Sequence, residues 1–232
     1  MKKIAFIALA LLIFSCAKEK HDLTVKSHVQ GLKKGTVYLK KIIDTALTTV
    51  DSVVVNGNPN FELYSSLESP EVFFLYLDKN SNKEDRISFF ADKGITEINT
   101  TLKNFVFDAK INGSEQQKVM EDYQKVISKL KNRDLELIKE TFDAQKDGDS
   151  VKLKDIQNEY DGSLKRKYLF TVNFALNNKN SEVAPYLALT EIYNANVDLL
   201  DTINNSLTPK VKASKYGKEL EAFIKKIKEE EQ

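Results

Sequence analysis

The spacing of hydrophobic residues changes once along this chain, at Gly113, and that change constrains the fold more than any other feature of the sequence. From residue 23 to Gly113, most apolar residues alternate with polar ones, as in half-buried β-strands. After Gly113, they recur every three or four residues, as along one face of an α-helix. The sequence therefore predicts an α+β protein, with an N-terminal antiparallel β-sandwich or open barrel followed by a helical C-terminal module.

The predicted strands are short and are separated by polar or glycine-containing turns. Residues 50–63 are interpreted as a β-hairpin, because alternating segments flank the turn signal NGNP at residues 56–59. Residues 23–40 are interpreted as a second hairpin that turns at residues 31–35. Residues 72–77 are apolar on both faces, which predicts a central strand covered on both sides. The other predicted strands are residues 86–91, 95–100 and 105–111.

The predicted helices begin with Ser114 as the N-cap of a long amphipathic helix that ends near Gly148. Its apolar stripe spans residues 119–142, and a second stripe spans residues 153–175. The short connection between them predicts an antiparallel pair of helices. Ser181 is predicted to cap a third helix with Pro185 in its first turns, and shorter helices are predicted at residues 197–207 and 216–230.

The N-terminus has the layout of a secretory signal. Lys2 and Lys3 precede the apolar residues 4–14, a run too short to cross a bilayer as a helix. Residues 12–16 (LIFSC) resemble a bacterial lipobox, which predicts that Cys16 becomes the lipidated N-terminus of the mature protein. An ordinary secretory signal cleaved nearby, leaving a free thiol, is the alternative.

The expected location is the cell envelope, where the lipid anchor attaches the protein to a membrane. An outer-membrane lipoprotein on the periplasmic side is preferred to one on the cell surface, since Lys18 and Glu19 only loosely resemble a surface-export signal. The predicted organisation is a signal peptide (1–15), a lipidated cysteine and tether (16–22), a β module (23–113) and a helical module (114–232).

Composition excludes two classes of function. Cys16 is the only cysteine, so the chain can form neither an internal disulfide nor a CxxC redox pair. The formal net charge of +1 stays close to zero when Lys2 and Lys3 leave with the signal. Nucleic acid is therefore not an expected partner.

A series of short motifs resembles domain of unknown function (DUF) 4369 over about residues 23–114. The motifs, in order, are VQGL (29–32), GTVYL (35–39), VDSV (50–53), NFE (60–62), SP (69–70), FFADKGIT (89–96) and INGS (111–114). The resemblance implies a module that precedes a thioredoxin-like domain in envelope thiol-disulfide and peroxiredoxin-like (AhpC/TSA) lipoproteins. The motifs SEVAPY (181–186) and SKYGK (214–218) are similar to the helical segment between those two domains. Because this chain ends at Gln232, we expect it to lack the thioredoxin domain and its activity.

No recognisable constellation of catalytic, cofactor-binding or metal-binding residues is present. His21 and His28 are the only histidines, and their spacing does not make a metal pair. The DGD sequence at residues 147–149 lacks the other ligands of a calcium loop, and no GxSxG, HExxH or phosphate-binding loop occurs. Four Asp-Ser/Thr-aliphatic triplets, at residues 44–46, 51–53, 149–151 and 201–203, are similar to O-glycosylation acceptors, a pattern that also arises by chance.

Three classes of function remain. The sequence favours a non-catalytic, lipid-anchored binding or scaffolding module with an envelope protein or glycan as partner, and without a cofactor. The second class is a docking partner of a separately encoded thioredoxin-like protein. The third is a hydrolase whose site lies unrecognised among the acidic residues.

Overall fold

The structure, a computed structural model, describes residues 21–78 and 86–230. The signal peptide and Cys16 lie outside these residues. The described residues form two four-stranded sheets followed by helices, which confirms the α+β class, and the sheets do not close into a barrel. The strands are β1 (Leu23–Gln30), β2 (Lys34–Ile43), β3 (Ala46–Asn56), β4 (Asn60–Ser65), β5 (Glu71–Leu77), β6 (Arg86–Ala91), β7 (Gly94–Thr101) and β8 (Lys110–Asn112). The helices are α1 (Glu115–Asp147), α2 (Ser150–Asn177), α3 (Val183–Glu191), α4 (Val197–Ser206), α5 (Pro209–Lys212) and α6 (Lys215–Glu230).

Strand pairing differs from the sequence prediction. The strand orders are β4-β1-β7-β8 in one sheet and β3-β2-β5-β6 in the other. Both predicted hairpins are wrong, because β1 and β2 lie in different sheets, as do β3 and β4. The sandwich is also not purely antiparallel, since β1 runs parallel to β7 with Leu23 opposite Gly94.

The predicted turns are nevertheless turns, and they carry the chain from one sheet to the other. Gly31 and Gly57 have φ values of 89° and 90°, which residues with a side chain rarely adopt. The true hairpin between β2 and β3 turns instead at Asp44, whose φ is 55°. The strand predicted at 105–111 shortens to β8, because Phe105 turns into the sandwich core and its carbonyl accepts a hydrogen bond from Thr100 Oγ1 at 2.7 Å.

The sheet β3-β2-β5-β6 is covered on both faces. One face packs against the other sheet, for example through Phe73 and Leu75 of β5. The opposite face presents Phe74 and Phe90 to the helices, where they belong to one cluster with Tyr123 of α1. The prediction that β5 is a central strand covered on both sides is therefore confirmed.

The first long helix, α1, begins and ends as predicted. The Ser114 side chain accepts a hydrogen bond from the backbone N–H of Gln117 at 3.0 Å, and Gly148 ends α1 in the left-handed conformation. Gly113 brings α1 close to β7, because a Cβ at this position would lie 2.2 Å from the carbonyl oxygen of Ile95. The short helix α5 was not predicted. Among the described residues, none of the helices is long and apolar enough to cross a membrane.

Candidate functional site

The predicted lipidation site is not tested by the structure. Cys16 and the tether up to residue 20 lie outside the described residues, so the anchor stays a sequence-based prediction. The described chain begins two residues before β1.

The two histidines lie on the outer face of the sheet β4-β1-β7-β8 but make separate contacts. The His21 ring stacks on Tyr64, with 4.6 Å between ring centroids. His28 Nδ1 lies 2.8 Å from Asn60 Oδ1. Within residues 21–78 and 86–230, no three His, Cys, Asp or Glu side chains come together as a metal site.

Several of the acidic motifs have structural roles. Asp149 of the DGD sequence caps α2, since its Oδ1 accepts a hydrogen bond from the Lys152 N–H at 2.9 Å. Asp51 joins β3 to β4 across the two sheets, because its Oδ2 accepts from the Tyr64 N–H at 2.7 Å.

The most distinctive surface belongs to the distal parts of α1 and α2. Residues 132–166, which we call the helical arm, follow the part of α1 that packs on the sandwich. The arm has a core of its own, consisting of Leu137, Ala144 and Ile156 with Leu153 beside them, all from α1 and α2. The part of α1 in the arm is about 24 Å long, at about 1.5 Å per residue.

The base of the arm is fixed by an ion-pair cluster on α3. Lys131 of α1 and Lys167 of α2 both pair with Glu191, at 3.2 and 2.9 Å. Burial opposes ionisation of Glu191, but Lys167 and Lys131 outweigh this effect and lower its pKa. Both helices are therefore tied to the same point of the body where the arm begins.

One flank of the arm is held by a charged network. Arg133 of α1 donates two hydrogen bonds to Glu159 of α2, at 2.8 and 2.9 Å, and a third to Glu140 at 2.7 Å. These bonds lower the pKa of Glu159 and raise that of Arg133. Asp134 accepts a further hydrogen bond from Ser163 at 2.6 Å, so the network sets the register of the two antiparallel helices.

The opposite flank is apolar and exposed. An α-helix turns about 100° per residue, so Leu135, Ile138 and Phe142 lie within about 60° of one another on α1. These three side chains point away from the flank of α1 that carries Arg133. The exposed fractions are 65% for Leu135, 48% for Ile138 and 68% for Phe142. On α2, Tyr160 and Leu164 point about 100° and about 140° away from Glu159, the residue that bonds Arg133, and they are also exposed. These five residues are the apolar flank.

The comparison with family models gives a match over the β part of the chain. Residues 23–120 match a family model. The family is described as Domain of unknown function (DUF4369). No curated protein and no solved structure matches the chain.

The DUF4369 match covers the sandwich and the first residues of α1, as far as Met120. Within this region Gln117 connects the two parts, because its side-chain oxygen accepts a hydrogen bond from the Phe90 N–H at 2.9 Å. The helical arm lies outside the DUF4369 match. The arm is therefore a feature of this chain that the family description does not cover.

The sequence did not reveal the apolar flank. Leu135 was in neither predicted stripe, and the other four flank residues were part of the stripes that predicted the helices. Leu137 and Ile138 are adjacent and so point about 100° apart, and both cannot face α2. The structure buries Leu137 and leaves Ile138 exposed. The signal that could have separated them is the width of the stripe, which exceeds what one partner helix can cover.

Proposed function

We propose that this protein is a lipid-anchored cell-envelope protein that acts as a non-catalytic binding or scaffolding module and binds a partner protein through the apolar flank. The observation that carries the proposal is the exposure of Leu135, Ile138 and Phe142 together on an arm that has a core of its own. Exposed apolar residues grouped in this way are typical of interaction sites.

The chemistry of the flank favours a protein over a glycan. Four of its five side chains are Leu, Ile or Phe, which offer no hydrogen bonds to sugar hydroxyls. Buried aromatic and aliphatic anchors instead supply most of the free energy of protein–protein binding. The charged residues around Arg133 lie on the other flank, where they hold α1 and α2 together.

The anchor follows from the sequence. Acylation of Cys16 would give the three chains of a mature Gram-negative lipoprotein, which hold a protein on a bilayer far more firmly than one chain does. The outer membrane, on its periplasmic side, is the proposed location. A thioredoxin-like protein is one partner that this arrangement could bind.

The test is co-purification from detergent-solubilised envelopes with the full chain carrying a C-terminal affinity tag. We expect one partner to be retained by the unaltered protein and lost when Ile138 and Phe142 are both changed to Gln. The matched control is Phe107→Gln, because Phe107 is 94% exposed but lies outside the arm. Retention of the same partner by the arm variant would overturn the proposal, as would its loss in the Phe107 control.

A further inference from the structure

A second candidate site lies at the junction between the sandwich and the helices, away from the arm. A cavity of about 560 Å³, which we call the junction pocket, is lined by residues from five parts of the chain. They include Asp92 from the β6–β7 turn, Gln116 from the start of α1, Glu182 immediately before α3 and Lys210 from α5. A volume in this range is typical of small-molecule sites.

Asp92 offers one oxygen to the pocket. Its Oδ2 accepts hydrogen bonds from the N–H groups of Glu115 and Gln116, at 2.7 and 3.3 Å, and so stabilises the N-terminus of α1. Its Oδ1 is buried and has no hydrogen-bond partner among residues 21–78 and 86–230. Asp92 is thus fixed in place by one oxygen, while the other is buried at the wall of the pocket without a partner among the described residues.

Glu182 offers a second oxygen. Glu182 is only 1% exposed, and its Oε2 has no hydrogen-bond partner in the part of the chain that the structure describes. Burial raises the pKa of Glu182, the charge of Lys210 opposes this effect, and the charge of Asp92 adds to it. A buried carboxylate oxygen without a partner is costly in the absence of a ligand.

The surroundings favour an organic cation over a metal ion. No group of three metal-ligating side chains occurs within residues 21–78 and 86–230, and the pocket is far larger than a single ion requires. Glu68 and Glu115 add negative charge to its wall. Of its two lysines, Lys93 already pairs with Asp22 at 3.1 Å. The pocket therefore has an excess of negative charge.

We propose that the junction pocket binds a small molecule through a primary ammonium group that donates hydrogen bonds to Asp92 Oδ1 and Glu182 Oε2. An ammonium has three donors that point in different directions and can reach two separate carboxylates. A guanidinium prefers both oxygens of one carboxylate, and here Asp92 has only one oxygen free. The proposal concerns a different surface from the arm and does not depend on partner binding there.

The test is isothermal titration calorimetry on the mature protein in detergent, with pairs of probes that differ in the ammonium group. We expect binding of glucosamine and n-butylammonium and no binding of N-acetylglucosamine and butan-1-ol. Glu182→Gln should weaken amine binding by about tenfold or more, as expected for a lost charged hydrogen bond. The matched control is Glu136→Gln, which should bind normally, because Glu136 lies on the helical arm, outside the pocket lining, and pairs with Arg133 at 3.1 Å.

The proposal is overturned if the neutral analogues bind as well as the amines, if no amine binds, or if CaCl₂ binds in their place. It is also overturned if Glu182→Gln binds amines normally. If that variant does not fold, the Glu182 carboxyl signal can be followed by NMR in the unaltered protein. Saturating n-butylammonium should then lower the pKa of Glu182, and an unchanged pKa would contradict the proposal.

Discussion

The Tyr216 hydroxyl in α6 accepts a hydrogen bond from the backbone N–H of Val72 in β5, with 3.0 Å between the two atoms. The residue pairs between β5 and β2 begin at Phe73 of β5, so Val72 lies outside this pairing. The Gln117 side chain of α1 likewise accepts a hydrogen bond from the Phe90 N–H of β6. Two helical side chains thus add hydrogen bonds to the apolar cluster that joins the sheet to the helices.

Changing Tyr216 to Phe should therefore destabilise the protein. The change leaves the Val72 N–H buried without a partner, which costs about 1–3 kcal/mol of the free energy of unfolding. Urea denaturation would measure the loss. Tyr168→Phe is the control, because that hydroxyl donates to Asn194 at an exposed position and its removal should cost well under about 1 kcal/mol. Equal losses in the two variants would contradict the assigned role.

The turns and periodicity of the fold could be predicted from the sequence, but the strand pairing could not. The signal at residues 56–59 correctly indicates a turn, with Gly57 at positive φ. A local signal does not say whether the next strand pairs with the previous one or crosses to the other sheet. That choice depends on long-range packing, such as the parallel pairing of β1 with β7.

The candidate sites were hidden for a similar reason. Asp92 and Glu182 are far apart in the sequence, and each is an ordinary acidic residue until the fold places both on one pocket. The apolar flank was visible only as part of a wide stripe. Burial separates Leu137 from Ile138, and burial depends on which helix lies alongside.

Gly113→Ala should destabilise the start of α1. Gly113 has a φ of 93°, and the added Cβ would meet the Ile95 carbonyl oxygen at 2.2 Å. Strain and the required backbone shift should cost about 1–3 kcal/mol, measurable by thermal or urea unfolding. Gly148→Ala is the comparison, since Gly148 also has positive φ but no atom lies within 4 Å of its added Cβ. A larger loss at Gly148 would show that the close approach to β7 is not important.

Glu182→Gln should change how stability depends on pH. Burial raises the pKa of Glu182, so this carboxyl group binds a proton more readily in the native protein than in the unfolded chain. The free energy of unfolding therefore falls as the pH rises above about 4.5 toward the raised pKa. Glutamine does not ionise, so the Glu182→Gln variant does not lose stability in this way. The variant should thus gain in melting temperature relative to the unaltered protein between about pH 4 and pH 7.

The other charged groups around this pocket are the same in both proteins, so the difference isolates Glu182. They are Glu68, Asp92, Lys93, Glu115 and Lys210. A melting-temperature difference that stays constant with pH would contradict the raised pKa.

Cys16→Ser should prevent lipidation and leave the precursor uncut. The serine has no thiol for diacylglyceryl transfer, and the peptidase of the lipoprotein pathway acts after that step. Mass spectrometry of the N-terminus and fractionation of membranes would follow both changes. A normally cleaved, membrane-retained Cys16→Ser protein would show that another feature anchors the chain.

The central claim is that the apolar flank binds a specific partner protein, and site-specific photo-cross-linking in intact cells tests it most directly. A benzophenone amino acid is introduced at Phe142 on the flank and, in a separate variant, at Phe107 on the sandwich. We predict one discrete adduct from position 142 that is absent from position 107 and disappears when Leu135 and Ile138 are changed to Gln. Absence of an adduct at position 142, or the same adduct from both positions, would contradict the claim.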